Sequence, residues 1–361
     1  MMYFLALILL IVIGGYLFLH SKPFGKNPDP QEISSPNFFN GEFKNQSPTR
    51  LLKDSKERWS VLKKTFTDKH PDNRPLKPIA SVKTNIKELP TDEDQLIWFG
   101  HSSLYLQVNA LKILIDPVLY SASPIKFFNK SFQSTHLYKA EDFPEIDYIV
   151  LTHDHWDHLD YHTIRRLHKT TKHFICPIGV GSHLKHWGVS SSKITEVDWY
   201  DKINAENGLK ITALPARHFS GRGLKSNPTL WASYMLESSY GNIYLSGDTG
   251  YDKHFKEIKS MFPEISIAVL ENGQYNEDWE DIHMMPDDLV QTIDDLHPDM
   301  VLTIHHSKYA LARHAWYEPL ELISAIASKK HINLLAPKIG EKVTLNGQVP
   351  ILETWWKNTA E

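Results

Sequence analysis

The stretch Ile146-Asp147-Tyr148-Ile149-Val150-Leu151-Thr152-His153-Asp154-His155-Trp156-Asp157-His158-Leu159-Asp160 decides how this chain is read. Its first half is an apolar, β-branched run of strand type. Its second half sets three imidazoles and the carboxylate of Asp157 within the six positions His153 to His158. On a helix, His153, His155, Asp157 and His158 would point roughly 0, 200, 40 and 140 degrees around the axis and could not converge. On a strand the first three would share a face and His158 would point away. The ligands therefore sit on a tight loop, between a strand ending at Leu151 and a helix near 161–169 that Asp160 can cap. A loop at the carboxyl end of a strand is where α/β folds place their sites.

A zinc ion takes about four ligands drawn from imidazole, carboxylate and water. Four side chains on one short loop surround a single ion only with strain. Split as His153 with His155, and Asp157 with His158, they begin two adjacent sites. The remaining ligands must come from downstream, and three single residues fit: His218 in Leu214-Pro215-Ala216-Arg217-His218, Asp248 in Ser246-Gly247-Asp248-Thr249-Gly250, and His305 in Leu302-Thr303-Ile304-His305-His306. Each follows an expected strand, at 211–215, 242–246 and 300–304. An isolated histidine is ordinarily a hydrogen-bonded side chain, and an aspartate between glycines ordinarily forms a turn. Beside the cluster at 153–158 the ligand reading takes precedence for all three. Asp154 and Trp156 are expected to face solvent or packing, and Asp160 to cap the helix or orient an imidazole.

With these residues in view, the chain resembles the metallo-β-lactamase superfamily. Within it the chain is most similar to the N-acyl-phosphatidylethanolamine-hydrolysing phospholipase D branch and its bacterial relatives. The resemblance runs over roughly 94–345 and is carried by Ile97-Trp98-Phe99-Gly100-His101-Ser102-Ser103, Leu114-Ile115-Asp116-Pro117, the His-rich loop, Pro215-Ala216-Arg217-His218, Leu230-Trp231-Ala232-Ser233, Gly247-Asp248-Thr249-Gly250-Tyr251 and Ile304-His305. It implies an α/β fold, a four-layer αββα sandwich with its site at one edge. It also implies two Zn2+ ions, with iron or manganese tolerated by the same ligands. By resemblance His153, His155 and His218 hold the first ion, Asp157, His158 and His305 hold the second, and Asp248 bridges them. His283, in Asp281-Ile282-His283-Met284-Met285-Pro286, falls where that branch places a substrate-contacting histidine.

The chemistry implied is metal-assisted hydrolysis of a phosphodiester. Two cations about 3.5–4 Å apart share a water, lower its pKa and neutralise charge on the phosphoryl oxygens. The bridging hydroxide attacks phosphorus, and His283 protonates or hydrogen-bonds the departing alkoxide. Asp157, Asp248 and His283 are thus the expected catalytic residues, and N-acyl-phosphatidylethanolamine-like lipids the expected substrates. The rival expectation is a soluble phosphorylated metabolite or lactone, as for the ascorbate-6-phosphate lactonase relatives. A scaffold without turnover is the third, and it does not require the complete ligand set seen here.

The 361 residues, 41% hydrophobic, are enough for one large core. A net charge of −4 without a basic tract argues against nucleic acid as a partner. The single cysteine, Cys176, excludes an intrachain disulfide framework and Cys-rich zinc sites, and reads as a buried structural thiol. The sequence leaves the oligomeric state open, a homodimer included.

Residues 1–19 carry no charge and reach nearly 30 Å as a helix, about the hydrocarbon thickness of a bilayer. They are expected to form an uncleaved single-pass anchor at 1–20. Lys22 and Lys26 behind it favour a cytoplasmic catalytic domain. Residues 21–90, rich in Pro, Asn, Lys and Ser with a helical patch at 51–59, are expected to be a linker and an extension wrapping the catalytic domain of 91–350. Strands are expected at 95–99, 103–108, 111–115, 146–151, 172–176, 209–215, 230–236, 242–246, 265–270, 300–304 and 332–336, with helices near 161–169, 286–296 and 318–328. That mixture fits a layered α/β sandwich.

Overall fold

Two seven-stranded mixed sheets face one another in the computed structural model, which describes residues 2–51, 55–125, 127–346 and 353–360. The first sheet runs in the order Lys342–Thr344, Gln95–Trp98, Leu104–Val108, Leu111–Ile115, Ile146–Val150, Thr171–Pro177, Ile194–Val197. Its first three joints are antiparallel and its last three parallel. The second sheet repeats that scheme from Lys202–Asn204 through Lys210–Leu214, Ser233–Glu237, Asn242–Leu245, Ile267–Glu271 and Met300–Ile304 to Leu334–Leu335. There too, three antiparallel joints are followed by three parallel ones. The two sheets therefore repeat one scheme, although the edge strand Lys342–Thr344 of the first follows the last strand of the second in the chain.

Strands such as Leu104–Val108, apolar but for Gln107, are buried along their whole length because both faces of each sheet are covered. One core fills the space between the sheets, with Leu106, Val150, Ile211, Tyr234 and Val269 in a single cluster. A second lies outside the first sheet, where Ile164 and Leu167 of the helix Tyr161–Leu167 and Leu184 of the helix Val180–His186 cover Ile149 and Phe174. A third lies outside the second sheet, under the helices His254–Met261, Pro286–Leu296 and Glu318–Lys330. Helices thus flank both sheets, the layering expected from the sequence. Asp160 caps Tyr161–Leu167 by accepting from the backbone N–H of His162 and Thr163. Cys176 is a buried free thiol, with its pKa pushed up by burial.

The amino-terminal expectation is corrected. Met2–Leu19 is a helix of 18 residues with exposed Leu, Ile and Phe side chains. No helix among the described residues is long and apolar enough to cross a membrane. The expected single-pass anchor and membrane location fall with this finding, and so does the assignment of the catalytic domain to a cytoplasmic side. Met1, residues 52–54 of the expected helical patch and the expected domain end at 350 lie outside the described residues. The remainder of the patch falls at the start of the helix Ser55–Thr67.

Candidate metal centre

The seven expected ligands emerge beyond the carboxyl ends of strands, while His283 lies just ahead of the helix Pro286–Leu296. Ile146–Val150 leads into His153–His158, Lys210–Leu214 into His218, Asn242–Leu245 into Asp248 and Met300–Ile304 into His305. Lys210–Leu214, Asn242–Leu245 and Met300–Ile304 run in one direction in the second sheet, one strand apart, and Ile146–Val150 belongs to the facing sheet, so seven residues spread over the sequence from 153 to 305 converge. The turns are tight. His101, Asp116 and His305 adopt left-handed backbone conformations, with φ of 54°, 41° and 68°. Such conformations persist only where the surrounding structure enforces them. Gly247 has φ of +59°, and a Cβ there would lie 2.9 Å from the Cβ of Thr152, so glycine lets Asp248 approach the His-rich loop.

The convergent side chains form overlapping groups whose potential ligand atoms lie within 4.8 Å of one another. One group is His153, His155, His218 and Asp248, and another is His101, Asp157, His158 and His305. A third joins Asp248, Glu271, His283 and His305. Asp248 faces both of the first two. Its Oδ1 is 3.0 Å from Nε2 of His158, and its Oδ2 is 3.1 Å from Nε2 of His305, 3.8 Å from that of His218 and 3.9 Å from that of His153.

Outward hydrogen bonds fix which ring nitrogen faces in. His153 Nδ1 lies 2.9 Å from Thr152 Oγ1, which donates to Asp116 Oδ2 at 2.6 Å. His158 Nδ1 donates to Asp116 at 2.8 Å, and His218 Nδ1 donates to the Ile282 carbonyl at 3.0 Å. His305 Nδ1 lies 3.2 Å from both the Gly273 carbonyl and Glu271. Each of these four rings therefore presents Nε2 to the centre, the arrangement by which proteins orient metal-binding imidazoles. His155 instead presents Nδ1, 2.9 Å from Nε2 of His153 and 3.1 Å from Nε2 of His218.

The group fits a cation. Three imidazole nitrogens converge on one another around His155 Nδ1, and His158 Nε2 and Asp248 Oδ1, which face each other at 3.0 Å, are buried without a hydrogen-bond partner. Electrostatics agree. Burial disfavours charge on His158 and His305, yet Asp248 beside both, with Asp116 on His158 and Asp157 on His305, overrides it. His158 is raised to about 10 and His305 moves well above the ordinary histidine range. Burial also opposes ionisation of Asp157 and Asp248, but the surrounding imidazoles hold both carboxyls well below theirs. The site demands positive charge between its carboxylates, and a divalent ion supplies it. His153 and His218 are held well below their ordinary range by burial and by neighbouring imidazoles, and neutral rings are what a metal requires.

His283 stands over this centre. Its Nδ1 is tied to the fully buried Glu271 by a short hydrogen bond. Its ring stacks on His305 at 5.2 Å and meets His218 edge-on at 5.1 Å. Asp154, expected to face solvent or packing, is fully buried, 3.2 Å from His183 Nε2 and accepting from the N–H of Gly221. Trp156 is half-buried, with the guanidinium of Arg222 3.9 Å from its ring centre.

Sequence reasoning left four residues without a role. His101 hydrogen-bonds Asp157 at 2.8 Å, Asp116 orients His158, Glu271 orients His283, and Asn45 clamps the backbone of His218. Asp116 and Glu271 carry the signal used for the others, a polar residue closing an apolar strand. Asn45 sits in the irregular extension and carries none.

The sequence profile of the beta-lactamase superfamily domain matches residues 112–306, and the chain belongs to that superfamily. It is a metal-dependent hydrolase of the family, an enzyme whose His and Asp clusters can hold metal ions. Within the superfamily it falls with the N-acyl-phosphatidylethanolamine-hydrolysing branch. It is 30% identical over 264 residues to N-acyl-phosphatidylethanolamine-hydrolyzing phospholipase D 1 of Caenorhabditis elegans, covering 68% of this chain and 74% of that one. An uncharacterised protein of Mycobacterium tuberculosis is 33% identical over 349 residues, 94% of this chain and 93% of its own. Among solved structures, the metallo hydrolase Igni18 of Ignicoccus hospitalis superimposes with a TM-score of 0.54 at 21% identity, over 70% of this chain and 97% of that one. That last likeness is one of fold.

Proposed function

We propose that the protein is a phospholipase D-type phosphodiesterase that cleaves N-acyl-phosphatidylethanolamine-like lipids at a pair of metal ions. His153, His155, His218 and Asp248 would hold one ion, and Asp157, His158, His305 and Asp248 the other, with zinc suited to the set and iron or manganese tolerated. When bound, the ions supply an activated water and neutralise charge on the phosphoryl oxygens. Asp248 keeps the two groups in one register through its two oxygens. Asp116, Glu271 and the backbone carbonyls hold the imidazoles in place. With Nδ1 committed to Glu271, His283 has Nε2 left to carry a proton to the leaving oxygen. The reaction adds water at phosphorus, breaks the bond to the N-acylethanolamine oxygen and places the proton there.

The observation that carries the reading is the position of His283 above Asp248 and His305, on a chain 30% identical to a nematode lipase of that name. Metal-loaded protein with detergent-dispersed N-palmitoyl-phosphatidylethanolamine should release N-palmitoylethanolamine and phosphatidate. Turnover of small soluble phosphodiesters or lactones, with the lipid left intact, would move the substrate to the soluble metabolites.

A further inference from the structure

A cavity of about 350 Å³ lies beside the second ligand group, lined by residues from 119–121, 129–139 and 307–309. Its walls include Phe99, Leu119, Phe132 and Tyr138, and its polar lining contains Lys130, Lys139 and Lys308 but no Asp or Glu among the described residues. In a chain with net charge −4, an acid-free cavity with three lysines is a deliberate concentration of positive charge. Lys308 is the informative member. Its Nζ donates to the carbonyls of Val118 at 2.8 Å and Phe99 at 3.1 Å and forms no ion pair among the described residues. Burial lowers its pKa to about 8 against the opposing influence of Asp160, a carboxylate committed to capping Tyr161–Leu167. A partly buried ammonium with no ion-pair partner among the described residues is costly, and an anion brought to its remaining N–H offsets that cost.

The size and walls restrict the anion. At about 350 Å³ the cavity is at the small end of ligand sites, too small for a two-chain lipid. Its apolar walls give a bare inorganic anion nothing to bury. We infer that this cavity binds a single-chain amphiphilic anion, a fatty carboxylate, with the head group on Lys308 and the chain along Phe99, Leu119 and Phe132. The site adjoins the metal centre without being part of it. Tyr309 lines the cavity and meets the ring of His101 edge-on at 5.1 Å, and Lys308 anchors the carbonyl two residues before His101.

The probe is laurate, titrated by calorimetry into the metal-loaded full chain, with dodecanol and inorganic phosphate as comparisons. Laurate is expected to bind more tightly than either. Lys308→Met should weaken laurate about tenfold or more and leave dodecanol unchanged. Leu119→Trp, which fills the cavity and retains the lysine, should remove both, and it decides the matter alone if Lys308→Met does not fold. Absence of laurate binding to the parent protein contradicts the inference. So does undiminished laurate binding in Leu119→Trp, which would place the ligand at the metals or on the exposed helix Met2–Leu19, and so does phosphate binding as tight as that of laurate. These readouts are of binding, so they stand whether or not the lipid is hydrolysed.

Discussion

Nδ1 of His158 lies 2.8 Å from Oδ2 of Asp116, and both residues are fully buried. The contact turns the other face of the imidazole towards Asp248, and through Thr152 the same carboxylate also reaches His153. One carboxylate that touches no centre-facing atom therefore orients a ring in each ligand group. Asp116→Asn should keep the fold and lower metal affinity about 10–100-fold. Competition with a chromophoric chelator measures this, and an unchanged affinity would show the orientation to be set elsewhere.

Asn45 binds His218 from the amino-terminal extension, accepting from its N–H at 3.0 Å and donating to its carbonyl at 2.8 Å. Asn45→Ala removes both bonds, and metal affinity is expected to fall about tenfold with little change in melting temperature. The reverse pattern, a lower melting temperature with full affinity, would make the extension a structural cover only.

Glu271 and His283 act as one unit in this account. Glu271→Gln and His283→Gln should each lower kcat about 10²–10⁴-fold while leaving bound metal near the parent level. The double variant should be no slower than the slower single variant, because the second change removes nothing further. Additive losses, read from kcat on the same lipid, would separate the two roles.

The pKa of Lys308, lowered to about 8 by burial, links folding to pH with a definite sign. Between about 8 and its ordinary value the unfolded chain binds the proton that the folded chain has released, so this residue's contribution to stability rises with pH across that window. Lys308→Met should flatten the rise. Denaturant midpoints at pH 7.5 and pH 9.5 for parent and variant test it, with parallel changes in the two proteins as the contrary result.

The parts of the fold legible in sequence were those with strong apolar periodicity. Ile146–Val150, Leu111–Ile115 and Met300–Ile304 lie within or on their expected limits because each is almost wholly buried and apolar but for one residue, Asp147, Lys112 and Thr303 respectively. Ile194–Val197, Lys202–Asn204 and Lys342–Thr344 escaped notice because they are short strands at or beside the sheet edges with polar residues along them. The helices Val180–His186 and His254–Met261 were missed for a related reason: they are seven and eight residues long and bury only a few side chains each.

At the site, the seven expected ligands are brought together because each marks the end of a strand, a local signal. The residues that orient them are recognisable only once distant loops meet. Asp116 and His158 are 42 positions apart, and Asn45 and His218 are 173 apart. The amino terminus misled for the opposite reason. Its composition is that of a membrane span, but no helix among the described residues is long and apolar enough to cross a membrane.

The most direct measurement is elemental analysis of the chain purified without added metal, paired with its hydrolysis of N-palmitoyl-phosphatidylethanolamine before and after chelation. About two ions per chain are expected, with loss of turnover on their removal and loss of both metal and turnover in Asp248→Ala. An Asp248→Ala chain that keeps its metal and its activity would contradict that expectation.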